Sequence, residues 1–143
     1  MPTASAQLER KGRDVVTISP DRSVLEAATM MNDGRIGCLV VVEHDEICGI
    51  VSERDILTRV VAQCRPPART SVRSVMTREV LMGTGETTLD ELRALMRERR
   101  IRHVPIIENG SLSGIISIGD LNSESREALC HTITTLESYI RQG

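Results

Sequence analysis

Gly49-Ile50-Val51-Ser52-Glu53-Arg54-Asp55 recurs as Gly114-Ile115-Ile116-Ser117-Ile118-Gly119-Asp120. The spacing is 65 residues at the glycine, at the serine and at the aspartate alike. Strand patterning alone could repeat the two β-branched residues. Keeping a glycine, a hydroxyl and a carboxylate in register as well points to a duplicated site inside a duplicated fold.

Outward from this stretch the register holds without a gap, from Val15 and Val80 to Asp55 and Asp120. Each half reads as a short strand, a helix, two strands joined by a tight turn, and a helix. In the first half Val15-Val16-Thr17-Ile18 is the short strand, closed by Ser19-Pro20. Asp21 and Ser23 offer N-cap side chains, with Glu26 placed as in a capping box. Val24, Leu25, Ala27, Ala28 and Met31 have helical spacing. The apolar run Ile36 to Val42 predicts a buried strand, His44-Asp45-Glu46 the turn, and Ile47 to Val51 the next strand. A helix then opens at Ser52 and runs through Ile56, Leu57, Val60 and Val61. The second half repeats this with Val80-Leu81-Met82, with Thr88 and Glu91 at the cap, and with Leu89, Leu92, Leu95 and Met96 on the helix. Ile101 to Ile107 and Leu112 to Ile116 are its strands, joined by Asn109-Gly110, a strong hairpin signal. Gly83-Thr84-Gly85 stands where the first half has Ile18-Ser19-Pro20, which loosens the approach to the second helix.

Pro66-Pro67 rules out a continuous helix and marks a linker over residues 66–70 between repeats at 8–65 and 71–125. Residues 1–7 read as a flexible tail, and Leu8 to Lys11 as a helical turn stopped by Gly12. Leu129, Ile133, Leu136 and Ile140 form an apolar stripe on a helix predicted over residues 126–143, available to the body or to a partner subunit.

The 143-residue chain is 40% hydrophobic but has no Phe, no Trp and one Tyr, Tyr139, so its core must be aliphatic. A formal net charge of −2 gives no global field for nucleic acid, and the missing aromatics argue against base stacking. Arg93, Arg97, Arg99, Arg100 and Arg102 are diluted by Glu91 and Glu98 and read as a solvated face plus one phosphate ligand. Cys38, Cys48, Cys64 and Cys130 form no Cys-x-x-Cys pair and have no zinc spacing with His44, His103 or His131. The expectation is reduced structural cysteines and no metal. No charged-then-apolar leader opens the chain and no apolar run is long enough for a bilayer, so a soluble cytoplasmic protein away from membranes is expected.

One carboxylate can accept hydrogen bonds from two neighbouring hydroxyls. Asp55 and Asp120 stand where a helix follows a strand, with Ser52 and Ser117 three residues earlier. The helix terminus favours an anion, and Gly49 and Gly114 allow close backbone approach. The same Ser-x-x-Asp pattern is also a plain N-cap. Both readings stand at this point, and they can coexist.

In their order and duplication, GIVSERD, GIISIGD, Thr17-Ile18-Ser19-Pro20-Asp21, Ser74-Val75-Met76-Thr77 and Ile101-Arg102-His103-Val104-Pro105-Ile106 resemble CBS domains, arranged as in stand-alone bacterial Bateman modules. The resemblance covers about residues 8 to 122. It implies an α/β (α+β) fold of two β-α-β-β-α repeats related by pseudo-two-fold symmetry, packed with two nucleotide clefts between them, and a homodimer. Its ligands would be AMP, ATP, NAD(H) or S-adenosylmethionine, with no obligatory cofactor. By this resemblance Ile50, Ser52, Arg54 and Asp55 would face Val80, Leu81, Arg102 and His103 in a primary cleft. Ile115, Ser117 and Asp120 would face Val15, Val16, Gly37 and Cys38 in a secondary one. Only the primary cleft is expected to gain cations, so it should hold a phosphorylated adenosine more tightly. The function expected is a sensor that signals to a separate, unidentified effector protein. The alternatives are an interaction scaffold with vestigial clefts and a nucleotide-acting enzyme. The last is disfavoured because no nucleophile–base pair, Walker loop or metal cluster appears.

Overall fold

Two three-stranded sheets carry the duplication into three dimensions. The computed structural model describes residues 2–123; the stripe from Leu129 to Ile140, Cys130 and His131 lie outside the described residues. The first sheet has β1 (Thr17–Ile18), β2 (Cys38–Glu43) and β3 (Glu46–Ser52) in that order, β1 parallel and β3 antiparallel to β2. The second repeats it with β4 (Gly83–Thr84), β5 (His103–Glu108) and β6 (Ser111–Ser117). The helices are α1 (Ala4–Lys11), α2 (Val24–Gly34), α3 (Glu53–Ile56) and α4 (Leu89–Arg99). α3 continues as a π-helical turn, Leu57–Val61, and residues 118–123 are helical after β6.

Local chemistry explains most boundaries. The hairpins turn through left-handed pairs, His44 and Asp45 at φ 53° and 62° and Asn109 and Gly110 at 53° and 77°, matching the strand twist. Ser23 caps α2 by accepting from the Glu26 N–H. Thr88 and Glu91 form a complete capping box on α4. Both helices stop at an arginine in left-handed conformation, Arg35 and Arg100.

The short first strands are shorter than their sequence suggests. Val15 and Val16 lie before β1, and Val80-Leu81-Met82 before β4. In the first repeat the Val40 N–H donates to the Val16 carbonyl at 3.3 Å. Its counterpart in the second repeat is Pro105, which has no N–H to donate. That rung is missing, and Val80 and Leu81 leave the ladder.

Each repeat has its own aliphatic core, and each core borrows from outside its own strands and helices. Ile18, Val24, Leu39, Val41 and Val51 pack with Val72, Val75 and Met76 from the chain after the linker. Leu89, Leu92, Val104, Ile106 and Ile116 pack with Ala4 and Leu8 from α1. The expected N-terminal tail is therefore corrected from Ala4 onward. Ala4 and Leu8 are fully buried, and the Ala4 and Ser5 N–H groups donate to the carbonyls of Thr87 (2.7 Å) and Gly85 (2.9 Å). Burying a leucine contributes about 1.5–3 kcal/mol, enough to order a short helix that would be marginal alone.

The two repeated glycines seat these foreign side chains. A Cβ on Gly49 would lie 2.7 Å from the Met76 sulfur, and one on Gly114 would lie 2.5 Å from Leu8 Cδ2. The glycines admit close approach, as their repetition suggests, but of packing side chains.

Candidate functional site

Ser52 begins the site. Its hydroxyl accepts from the Asp55 N–H at 3.2 Å and donates to Asp55 Oδ2 at 3.1 Å, while the Ser52 N–H donates to the same oxygen at 2.9 Å. This capping box fixes the carboxylate at the start of α3. Asp55 is 7% exposed, and its Oδ1 accepts from the Thr77 hydroxyl at 3.2 Å. Each carboxylate oxygen can take two donors. Oδ2 is filled, whereas Oδ1 holds one hydrogen bond, with Arg59 Nε 3.9 Å away, and has room for a ligand hydroxyl. Capping and ligand binding are thus compatible at Asp55.

All eight residues expected in the primary cleft line one hollow. Ile50, Ser52, Arg54 and Asp55 come from the end of β3 and from α3. Val80 and Leu81 come from the segment before β4, and Arg102 and His103 from the start of β5. The hollow encloses about 130 Å³ and opens to about 710 Å³ with its mouth. Its apolar walls are aliphatic, and Arg54, Arg100 and Arg102 line it together with Asp55. Sequence reasoning missed Glu53, Thr77, Glu79, Arg100 and Ile101 on the same lining. Thr77 and Glu53 lie in quoted motifs, Arg100 and Ile101 adjoin Arg102, and Glu79 adjoins Val80, so adjacency was the available signal.

Burial holds His103 below the usual imidazole range, helped by Lys11 and opposed by Glu53 and Asp120. The ring is therefore mostly neutral at pH 7, with one nitrogen donating and one accepting.

The second cleft departs from expectation. It was expected to lack a cation, but Lys11 Nζ lies 2.5 Å from Asp120 Oδ2 and 2.6 Å from the Ile115 carbonyl oxygen. Helix α1, read as a tail ending in a single helical turn, delivers that ammonium. Ser117 and Asp120 repeat the reciprocal cap, with Ser117 N–H to Asp120 Oδ2 at 2.8 Å and Asp120 N–H to Ser117 Oγ at 3.1 Å. Asp120 Oδ2 is thus already occupied by two donors. Gly37 faces Glu53 and His103 and borders a separate hollow with Ile36 and Ile56. Cys38 is buried, and desolvation pushes its thiol up to about 12, Lys11 opposing. Val16 gives β2 its carbonyl.

Among the described residues no cluster of His, Cys, Asp or Glu is arranged to hold a metal ion, and no helix is long and apolar enough to cross a membrane.

A family model for the CBS domain matches residues 11–62 and again 72–127. The chain belongs to the CBS-domain family. The CBS domain-containing protein YhcV of Bacillus subtilis is 35% identical over 85% of this chain and 88% of its own length. Among solved structures, a CBS-domain putative signal-transduction protein from Burkholderia ambifaria is 39% identical with a TM-score of 0.83, covering 86% of this chain and 93% of that one. The CBS-domain protein ATU1752 of Agrobacterium tumefaciens is 43% identical with a TM-score of 0.80, covering 85% and 91%. The fold is also shared, at 22% identity and a TM-score of 0.79 over 90% of this chain and 98% of that one, by the CBS pair of protein MJ0100, solved with 5′-methylthioadenosine and S-adenosylmethionine. The mixed α/β architecture of paired CBS repeats is thereby established, and with it the class of regulatory modules.

Proposed function

We propose that this CBS pair is a sensor that binds an adenosine-containing ligand in the Asp55 cleft and passes the resulting change in packing to a separate effector protein. The observation that carries this is the assembly of one cleft from both repeats, in which a buried, prearranged carboxylate shares the lining with Arg102, His103 and aliphatic side chains. Asp55 would take a ribose hydroxyl on its open Oδ1 position. Arg102 and Arg54 would take a phosphate, a task suited to the guanidinium fork. Adenine would lie against Ile50, Val80 and Leu81, since among the described residues no Phe, Tyr or Trp lines the cleft. AMP, ATP, NAD(H) and S-adenosylmethionine all share the adenosine this arrangement reads. Because Asp55 and Arg102 belong to different repeats, a ligand spanning them would bias how the repeats sit together.

The cleft residues supply binding groups and no nucleophile–base pair, which favours a binding module over an enzyme. We further propose a cytoplasmic homodimer. A CBS-CP12 protein of bloom-forming cyanobacteria, 29% identical, is hexameric, so light scattering with and without ligand is the measurement for assembly.

The test is thermal melting with adenosine, AMP, ATP, NAD and S-adenosylmethionine, beside mass spectrometry of small molecules released from fresh protein. At least one compound should raise the melting temperature with concentration. No shift with any of them, and no adenosine compound released, would leave the scaffold reading in its place.

A further inference from the structure

We infer that the cleft continues into an arginine groove along α4, and that the ligand is an adenosine compound carrying two or more phosphates in a row; this rests on the reading of the cleft above. Arg54, Arg100, Ile101 and Arg102 line both the Asp55 cleft and a second hollow beside it. They are the shared wall of two adjoining spaces. Beyond that wall stands Arg97, and Met96 and Ile118 supply an apolar lining. Among the described residues no Asp or Glu borders this hollow.

Among the described residues Arg54, Arg97, Arg100 and Arg102 have no carboxylate within ion-pair distance, although Glu53, Asp55 and Glu79 share the cleft lining with three of them. Arg13, Arg22, Arg59 and Arg73 each sit within 4 Å of a carboxylate. Among the described residues Arg54, Arg97, Arg100 and Arg102 form no ion pair, and Arg54 donates only to the Arg100 carbonyl, at 3.5 Å. Four unneutralised cations beside one another repel, an arrangement that an anion relieves. One phosphate at Arg102 and His103 would leave Arg97 and Arg100 unmatched. A chain of phosphates leaving the cleft past Arg102 and Arg100 toward Arg97 matches all of them with charge-assisted hydrogen bonds.

A nucleic acid would need a longer basic track. This one ends on one side of α4 beside Glu98, offers no aromatic for a base, and belongs to a chain of net charge −2.

The experiment is titration calorimetry of the full chain and of Arg97→Gln with AMP, ATP, inorganic tripolyphosphate and a single-stranded oligonucleotide, with melting curves to show that the variant is folded. ATP should bind at least about ten-fold more tightly than AMP, the worth of one charged hydrogen bond. Arg97→Gln should remove most of that advantage and leave AMP unchanged. AMP binding as tightly as ATP, or an ATP advantage that survives Arg97→Gln, would overturn this inference while sparing the cleft. Tripolyphosphate bound through Arg97 with no affinity for any adenosine compound would overturn the cleft reading and the nucleotide with it. An oligonucleotide that outcompetes ATP and is lost in Arg97→Gln would replace the nucleotide with a nucleic acid.

Discussion

Lys11 Nζ sits 2.5 Å from Asp120 Oδ2, and the Thr77 hydroxyl sits 3.2 Å from Asp55 Oδ1. The two repeats thus complete their matching carboxylates differently, one with an ammonium in hydrogen-bond contact and the other with a hydroxyl, the Arg59 guanidinium standing off at 3.9 Å. The looser arrangement leaves Asp55 Oδ1 room for a further donor. The ammonium holds Asp120 in a close ion pair that a ligand would have to compete with.

Ligand binding should therefore depend on Asp55 and much less on Asp120. Asp55→Ala is expected to weaken a phosphorylated adenosine by about ten-fold or more, as loss of a hydrogen-bonded charge does. Asp120→Ala should change it only slightly, although it frees Lys11. Titration calorimetry of both variants decides this, and a greater loss from Asp120→Ala would reverse the assignment of the clefts.

His103 should make folding pH-dependent. Its folded value is depressed, so the unfolded chain takes up the proton first as pH falls below the ordinary imidazole value of about 6.5. The contribution of the neutral ring is complete above that value and is lost below it. Between about pH 7.5 and 5.5 the melting temperature of the wild type should fall more than that of His103→Asn. An equal fall in both would show that other groups carry the dependence. Lys11→Met should raise the His103 pKa seen by NMR, since Lys11 is one of the groups lowering it.

The repeated glycines should differ in tolerance. A Cβ on Gly49 meets the Thr77 carbonyl oxygen at 2.9 Å, and that backbone is tied to β3 by paired hydrogen bonds with Ile50. A Cβ on Gly114 meets only the end of Leu8. Gly49→Ala should cost about 1–3 kcal/mol and Gly114→Ala less. Leu8→Ala should mask much of the Gly114→Ala effect in a double-mutant cycle. Urea denaturation reads both, and equal, additive costs would contradict the packing described.

Thiol labelling should rank the cysteines. Cys64 is exposed, whereas Cys38 is buried with its thiol pushed up to about 12, so its thiolate is scarce. Alkylation mapped by mass spectrometry should modify Cys64 early and Cys38 only on unfolding. Labelling of Cys38 as fast as Cys64 would show that the second cleft opens readily.

The duplication, the hairpins at His44-Asp45 and Asn109-Gly110, and the capped helices at Ser23 and Thr88 were legible because each is a local signal in register with its copy. The eight residues of the primary cleft could be named because the family pattern assigns them across repeats. Lys11 could not: its partner lies 109 residues away, and its helix forms by packing on the second sheet. Nor could the borrowing of Val72, Val75 and Met76 by the first core. Apolar periodicity says that a side chain is buried but does not say against which sheet.

Leu8 is made before either repeat, yet its seat above Gly114 exists only once the second repeat has emerged. The first core likewise waits for Met76, beyond the linker. Synthesis therefore yields no finished half at the linker, and closing the two ends joins residues distant in sequence, which slows folding. A cut at Pro66-Pro67 should release two incomplete cores rather than two working CBS domains.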